Sequence, residues 1–488
     1  MLINFFIYLD RGIVPGAFKQ FQDMIQAEMG PEHVETLFGA LTSVFIVGYA
    51  VASFAVGQLV HVVPPFRIVV VGLVVWALSA GIASAAPNYW VLLAARGLSG
   101  IGEASFQCIV APFIDDFAPH GSKALWLGAF YAGIPMGTAL GYIYGADVAA
   151  ASPLGWRAPF LAEAPVLLCL ALGMLCLRLP NPRGMVGSKV SSGAAAGPEP
   201  GDDAPAPARD VGLGAGLSRV LRSPVFVLVS LGYAAYNYTL AGFGAFAPDF
   251  LVSLRLIDNE AEASTAFGAV VSGVGLLGTI MGGVATDRAV RWARVRAGLP
   301  GQAARPAKDA APLLADADGS EGEEDHAPSA ASRAAELVGV MTVGVGASVA
   351  GTVAAVCLSS ATSSTGLYLT VTALACLFLF TSNGTAPLAM MGSVAHEDRA
   401  LAMGLGQIIQ HALGDVPAPA VIGALTDSLA PLTPSGRSKA GLELTLFITM
   451  AWLGWTVLLW VAALVVACRN APRPGDADER SDAAAHAL

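Results

Sequence analysis

The chain has 488 residues, of which 55% are hydrophobic and 13% charged, with a formal charge of −10 and a mean hydropathy of +0.64. That is too apolar and too poorly charged for a soluble protein of this length. The acidic residues crowd into low-complexity loops, so the negative balance describes linkers, and no nucleic-acid signature is present. All six cysteines, Cys108, Cys169, Cys176, Cys357, Cys376 and Cys468, lie within or at the end of apolar runs without metal-ligand or paired-loop spacing, and read as packing residues. No cofactor is expected. There is no phosphate-binding P-loop, which argues against ATP-driven transport, and no nucleophile–base pair or metal cluster converges in the spans, which argues against an enzyme.

A window of about 19 residues finds twelve apolar spans. They fall at about 2–20, 37–60, 66–86, 90–113, 123–148 and 157–178, then 223–252, 265–287, 337–359, 367–391, 399–425 and 442–468. The first begins at Met1 and carries charges where a signal core would be apolar, so it is expected to stay as a span. The domains follow: a six-helix half over 1–180, a disordered cytoplasmic linker over 181–222, a second half over 223–468, and a cytoplasmic tail over 469–488. The linker includes SSGAAAGPEPGDDAPAPARD, which cannot bury a core. A second low-complexity cytoplasmic loop is expected at about 289–336. Of the 26 Lys and Arg, only Lys19, Arg157, Arg255, Arg437 and Lys439 fall on the side opposite the termini, and Arg11 and Arg96 fall within spans. The positive-inside rule therefore puts both termini in the cytoplasm.

After span two the chain reads GQLVH, Gly57 to His61, and after span eight GVATDR, Gly283 to Arg288. The shared Gly-x-x-x-polar step joins the halves by an offset of 226 residues and suggests a parallel duplication, as in major facilitator transporters. The expected fold is an all-α integral membrane protein of twelve transmembrane helices in two six-helix halves. Gly57, His61, Gly283, Asp287 and Arg288 are candidate gating residues: Gly for close helix approach, Asp287 for capping or pairing with helix termini in one gate state. A plain membrane-exit turn is the bland alternative. In span five, Gly133, Gly137, Gly141 and Gly145 make a bare helix face, for which Gly278 and Gly282 of span eight are the expected partners. Ordinary tight packing is the alternative there.

Charges within spans are sharper signals, because each costs about 2.5–3.5 kcal/mol on insertion scales. Asp10 and Arg11 are neighbours about 100° apart around span one and must serve different partners. Arg96 and Glu103 share one face of span four. Pairing of Asp10 with Arg96, or of Arg11 with Glu103, would neutralise the site, and protonating an acid would free an Arg for an anionic substrate; the alternative is a static salt-bridge cluster. In span eleven, His411 and Asp415 are four apart, and Pro417 and Pro419 then break the backbone ladder. His411 is the side chain that titrates near neutrality when unperturbed, so a proton site, a headgroup contact and a packed His all stay open. Glu163 reads as interfacial. Tyr236 and Asn237 fall where Asp10 and Arg11 map under the 226-residue offset, which makes them candidate polar lining.

The runs TSVFIVGYAVASFAVGQL, ARGLSGIGEASF, APFIDDFAP, WLGAFYAGIPMGTALGYIYG, GFGAFAPDFL and HALGDVPAPAVIGALTD resemble the Spinster family of the major facilitator superfamily, the sphingolipid and lysophospholipid transporters. The resemblance touches spans one, two, four, five, seven and eleven. It implies proton coupling and substrate binding at Asp10 and Arg11, and matches Arg96 and Glu103 to the family's span-four pair. It departs at His61, where Asp is usual.

The expectation is therefore a monomeric, proton-coupled carrier of an amphiphilic lipid among membrane lipids. Asp10, Glu103 and His411 are the proton-coupling candidates; Arg11, Arg96, Tyr236, Asn237 and Asp415 are the substrate-binding candidates. Phe243 and Phe246 are expected to line a slot for the tail. Another organic anion or a drug, or a sensor without transport, fits the same residues. DAAPLL, Asp309 to Leu314, resembles an acidic dileucine signal and hints at a lysosome or vacuole, with the plasma membrane as the other choice.

Overall fold

The computed structural model describes residues 2–60, 62–117, 123–176, 213–297, 330–395, 398–433 and 436–471. The helices are α1 (Leu2–Gly16), α2 (Phe18–Met29), α3 (Val34–Leu59), α4 (Pro65–Ser84), α5 (Tyr89–Phe117), α6 (Lys123–Ala151), α7 (Arg157–Cys176), α8 (Leu213–Arg222), α9 (Pro224–Ser253), α10 (Glu260–Arg296), α11 (Ala330–Cys357), α12 (Thr365–Asn383), α13 (Thr385–Gly392), α14 (Arg399–Gln410), α15 (Pro417–Leu429), α16 (Lys439–Ala451) and α17 (Leu453–Asn470). No strand occurs among the described residues beyond one isolated bridge, Thr433 to Gly436.

Twelve passes follow the twelve apolar runs, because a chain in lipid must satisfy its backbone within each segment. By length and composition alone, nine of these helical stretches are apolar enough to cross a membrane among the described residues. The passes of α1, α5 and α6 complete the first half. Local signals set several starts: Ser223, Asn259, Ser364 and Ser438 each accept a backbone N–H at a helix N-cap. Glu260 and Glu262 open α10, and Arg294 and Arg296 close it, matching the helix dipole.

The two halves repeat the same contacts. In the first, α1 packs on α6, α3 on α5, and α4 on both α5 and α7. In the second, α9 packs on the α14–α15 pass, α10 on α12, and α11 on both α12 and α17. The pseudo-twofold then crosses α3 over α15 and α6 over α10 at the interface.

The halves meet at the end away from the termini. There Phe38 packs on Phe246, the Tyr142 hydroxyl donates to the Gly244 carbonyl at 2.8 Å, and the Ser264 hydroxyl donates to the Gly16 carbonyl at 3.1 Å. At the other end Gly57 and Gly283 face open space. Among the described residues the halves are thus joined at one end and open at the end bearing the termini.

Several expectations change. Span one stops at Gly16, and α2 is a separate amphipathic helix that buries Phe18, Phe21 and Ile25 on one face. The glycine ladder of α6 lies against α1: Gly137 and Gly141 meet the Phe5 and Leu9 carbonyls, and Gly145 meets that of Ile13. Gly278 and Gly282 instead admit α12 at Leu377 and Thr381. The α6–α10 crossing uses Gly268 against Ala139. The last ten residues of the expected linker form α8, whose Arg219 holds Asp398 at 2.7 and 2.9 Å. Both ends of the 289–336 loop are helical, with Arg294 paired to Glu336 at 2.6 Å. Cys169, Cys176, Cys357 and Cys468 are exposed on the helix surfaces; only Cys376 among the described cysteines is buried. The remainder of both low-complexity segments, DAAPLL included, lies outside the described residues, as does His61.

Candidate functional site

Four charges from α1 and α5 converge inside the first half. The α1–α6 glycine contact brings α1 deep into the bundle, and successive residues then face different sides. Asp10 turns to α5, where one Arg96 terminal nitrogen donates to both its oxygens at 3.0 and 2.8 Å. Arg11 turns the other way, and its Nε donates to Glu103 at 3.2 Å. Asp10, Arg96 and Glu103 are all buried, whereas 29% of the Arg11 side chain is exposed. Both pairings weighed from the sequence therefore form at once.

Aromatic rings enclose the cations. Arg11 sits 5.0–5.2 Å from the ring centres of Tyr8, Phe45 and Tyr49, and Arg96 lies 4.9 Å from Phe45 and 5.7 Å from Phe160. Such contacts offset part of the hydration a guanidinium loses on burial. Close by, Gln107 donates to Asn4 at 2.8 Å, and Asn4 donates to the Phe130 carbonyl at 2.7 Å.

The second half contributes His411 and Asp415, paired at 2.8 Å on a five-residue π-helical turn ahead of Pro417. The π turn is where the ladder adjusts to the prolines, and such turns place side chains off the regular α register. Tyr49 joins the halves: its ring is 5.1 Å from Arg11 and stands edge-on to His411 at 5.5 Å. A line of contacts thus runs Glu103, Arg11, Tyr49, His411, Asp415. Tyr49 lay inside a run singled out for its resemblance, but nothing in its spacing marked it.

The repeat-derived candidates behave differently. Asn237 is half-buried beside Gly414 of the π turn and donates to the Tyr233 carbonyl at 2.8 Å. Tyr236 does not line the interface between the halves: it is buried, stacks on Tyr233 and Trp460, and donates to the Leu379 carbonyl at 2.9 Å. Phe243 and Phe246 are likewise packed, with Phe250, Phe267 and Phe38, at the closed interface.

Close approach and capping occur, but not where Gly57 and Asp287 led. A side chain at Gly57 or Gly283 would meet nothing, and α10 runs on to Arg296, so Asp287 and Arg288 are exposed residues within a helix. The same Gly-x-x-x-Asp step recurs as GALTD, Gly423 to Asp427, and there both parts are used. Gly423 fits against the Glu35 carbonyl, and Asp427 accepts the Glu35 and Thr36 backbone N–H groups at 3.2 and 2.9 Å. A carboxylate from one half thereby caps α3 of the other. Arg437 completes the latch, 2.6 Å from Glu35 and 3.4 Å from Asp427, over a cavity of about 290 Å³ lined also by Gln22 and Asp249. The sequence flagged none of these partners.

A family model described as Major Facilitator Superfamily matches residues 1–304, and one described as Organic Anion Transporter Polypeptide (OATP) family matches residues 332–430. An Arabidopsis thaliana protein named probable sphingolipid transporter spinster homolog 2 is 30% identical over 400 residues, covering 80% of this chain and 69% of that protein. A Mus musculus sphingosine-1-phosphate transporter is 29% identical over 310 residues, covering 60% of this chain and 51% of its own length. Among solved structures, a bacterial homologue of the human lysosomal transporter Spinster, inward-facing and unoccupied, superposes with a TM-score of 0.71 at 16% identity over 97% of both chains. A D-xylose–proton symporter gives 0.61 at 12% identity. At such identities the structures speak for the fold alone. The superfamily match over the first 304 residues and the Arabidopsis match over most of the chain make this protein a member of the Spinster family of major facilitator transporters.

Proposed function

We propose that the chain carries a lysophospholipid or sphingolipid across its membrane by alternating access, as a monomer coupled to protons. The observation that carries this reading is Arg11: a half-buried cation beside Tyr49 at the junction of the halves, backed by a fully buried Glu103. An anionic headgroup arriving there competes with Glu103 for the same cation. Glu103 then gains from binding a proton, since an unpaired buried carboxylate is strongly disfavoured. Anion arrival and proton uptake are thereby linked in one step. Asp10 and Arg96 hold the neighbouring position, and His411 with Asp415 faces Arg11 through Tyr49, which supports a role for that pair in proton or headgroup contact. The names of the Arabidopsis and mouse relatives support a sphingolipid as the substrate.

Closing the open end would bring Asp287 and Arg288 toward the first half, and there they would serve as gate contacts along with Gly57, His61 and Gly283. With termini in the cytoplasm, the present conformation opens inward. A lysosomal or vacuolar membrane fits the dileucine-like segment. A second reading, another organic anion, is favoured by the match of residues 332–430.

The test is uptake of labelled lysophospholipid and of labelled sphingosine phosphate into proteoliposomes, with and without a pH gradient, for wild type and Asp10→Asn. Gradient-driven uptake of either lipid, lost in the variant, is expected. Folded wild-type protein that moves an organic anion but neither lipid would overturn the lipid reading.

A further inference from the structure

Glu163 belongs to none of the pairs described above. It lies on α7 with 3% of its surface exposed, and neither carboxyl oxygen has a hydrogen-bond donor among the described residues. Its direction is fixed by Phe160, three residues earlier on the same helix face, whose ring lies 5.7 Å from the Arg96 guanidinium. The charged and titratable groups whose fields reach it are Asp10 from α1, Arg96 and Glu103 from α5, and Tyr144 from α6. The Tyr144 hydroxyl donates to the Pro159 carbonyl at 3.3 Å. Arg96 has one terminal nitrogen on Asp10, and its Nε has no hydrogen-bond partner among the described residues.

Two arginines, Arg11 and Arg96, therefore stand among three acids, Asp10, Glu103 and Glu163. Each arginine is paired with one acid, which leaves the third without a counter-charge. A buried carboxylate with neither cation nor donor neutralises rather than stays ionised. Neighbouring buried carboxyls also cannot both ionise cheaply, so the one without a cation, Glu163, holds the proton.

We propose that Glu163 is the proton-carrying residue of this cluster, protonated at neutral pH and donating to Asp10. The transfer is a simple exchange. The Glu163 O–H bond breaks, the proton passes to the Asp10 carboxylate, and Glu163 is left ionised. Arg96 follows the charge, its free Nε–H turning to Glu163, which breaks one of the two ion pairs between α1 and α5 without changing the net charge. The use of this exchange in transport rests on the proton-coupled reading; the protonation itself does not.

The experiment is infrared difference spectroscopy of the full chain at neutral pH without substrate. The wild type minus Glu163→Gln spectrum is expected to contain one protonated-carboxyl carbonyl band. That band is expected to persist in Glu103→Gln, and to be lost in Asp10→Asn, where Arg96 has no other acid and Glu163 ionises as its partner. A difference spectrum lacking the band, or a band that persists in Asp10→Asn, would overturn the proposal. Should the lipid reading fail, these bands are unaffected, so the two ideas fail separately. Should Glu163→Gln not fold, the loss of the band in Asp10→Asn carries the test.

Discussion

Asp10 and Tyr236 occupy equivalent places, 226 residues apart, and each ties the first helix of its half to the fourth. Asp10 does so through Arg96 of α5; Tyr236 does so through the Leu379 carbonyl of α12. The surroundings differ. In the second half α9 packs directly on α17, with Trp460 filling the space beside Gly232 and its indole donating to the Val229 carbonyl. In the first half the matching region between α1 and α7 holds Asp10, Arg96 and Glu163. An aromatic plug is thus sufficient to pin this helix pair, and the charged version is not needed for architecture. Replacing buried ion pairs by apolar packing is often neutral or stabilising. Charges kept where a duplicate does without them point to chemistry.

The largest effect expected from this contrast follows removal of one partner. Arg96→Ala leaves Asp10 buried and uncompensated and should cost about 3–5 kcal/mol, read as a lower melting temperature in detergent. Asp10→Asn combined with Arg96→Gln should recover most of it. A single variant as stable as wild type would show that the pair carries no uncompensated charge when broken. Tyr236→Phe removes one neutral hydrogen bond and should cost only about 0.5–1.5 kcal/mol.

Arg437→Ala sharpens a second contrast, between pairs inside one half and pairs across the two. The Asp10–Arg96 pair can survive rocking of the halves, whereas Glu35–Arg437 must break each time the closed end opens. Losing Arg437 should weaken the closed state by an amount similar to other buried pairs, about 3–5 kcal/mol. A cysteine at Gln22 should then react much faster with a water-soluble thiol reagent, and unchanged reactivity would remove the latch from the gating cycle.

Smaller effects come from the glycines. Gly141→Ala must push α1 from α6 at the Leu9 carbonyl and should cost about 1–3 kcal/mol in thermal stability. Gly57→Ala and Gly283→Ala meet open space and should stay within about 0.5 kcal/mol. Equal costs at all three positions would mean that the ladder does not set the helix separation.

The smallest effect concerns α8. Its Arg219 holds Asp398 below the ordinary carboxylate value of 3.8 through a charge-assisted hydrogen bond. The carboxylate form is favoured in the folded state, so this contact stabilises above that ordinary value and fades as pH falls through the lowered folded one. The pair lies outside the spans and Arg219 is 41% exposed, so the contribution is screened. Hydrogen-exchange protection of α8, relative to the intrinsic rate at each pH, should fall below about pH 4 in wild type and show no such pH step in Asp398→Asn.

Much of the site was legible as a set of residues. Asp10, Arg11, Arg96 and Glu103 stood out because charge is rare in apolar runs, and their spacing limited who could face whom. Glu163 carried the same signal, yet at the seventh position after Trp156 it read equally well as an interfacial residue. Tyr49, Asp427 and Arg437 gave no signal, because an aromatic in a span or a charge at a span end or in a loop is ordinary. The repeat pointed to Gly283 and Asp287, while the same step at Gly423 and Asp427 is the one occupied in this conformation.

The sequence by itself determined the twelve passes, the two halves, the duplication and the presence of intramembrane charge. Those are local properties: lipid offers the backbone no partner, so each segment must be helical and apolar on its own account. Only the tertiary structure decided which charges meet, which helix the α6 glycines admit, and which end of the molecule is closed. Asp10 and Arg96 are 86 residues apart, and Glu35 and Arg437 are 402 apart. Such contacts depend on the rotation and depth of two whole helices, and a change of one residue in register turns a side chain by about 100°.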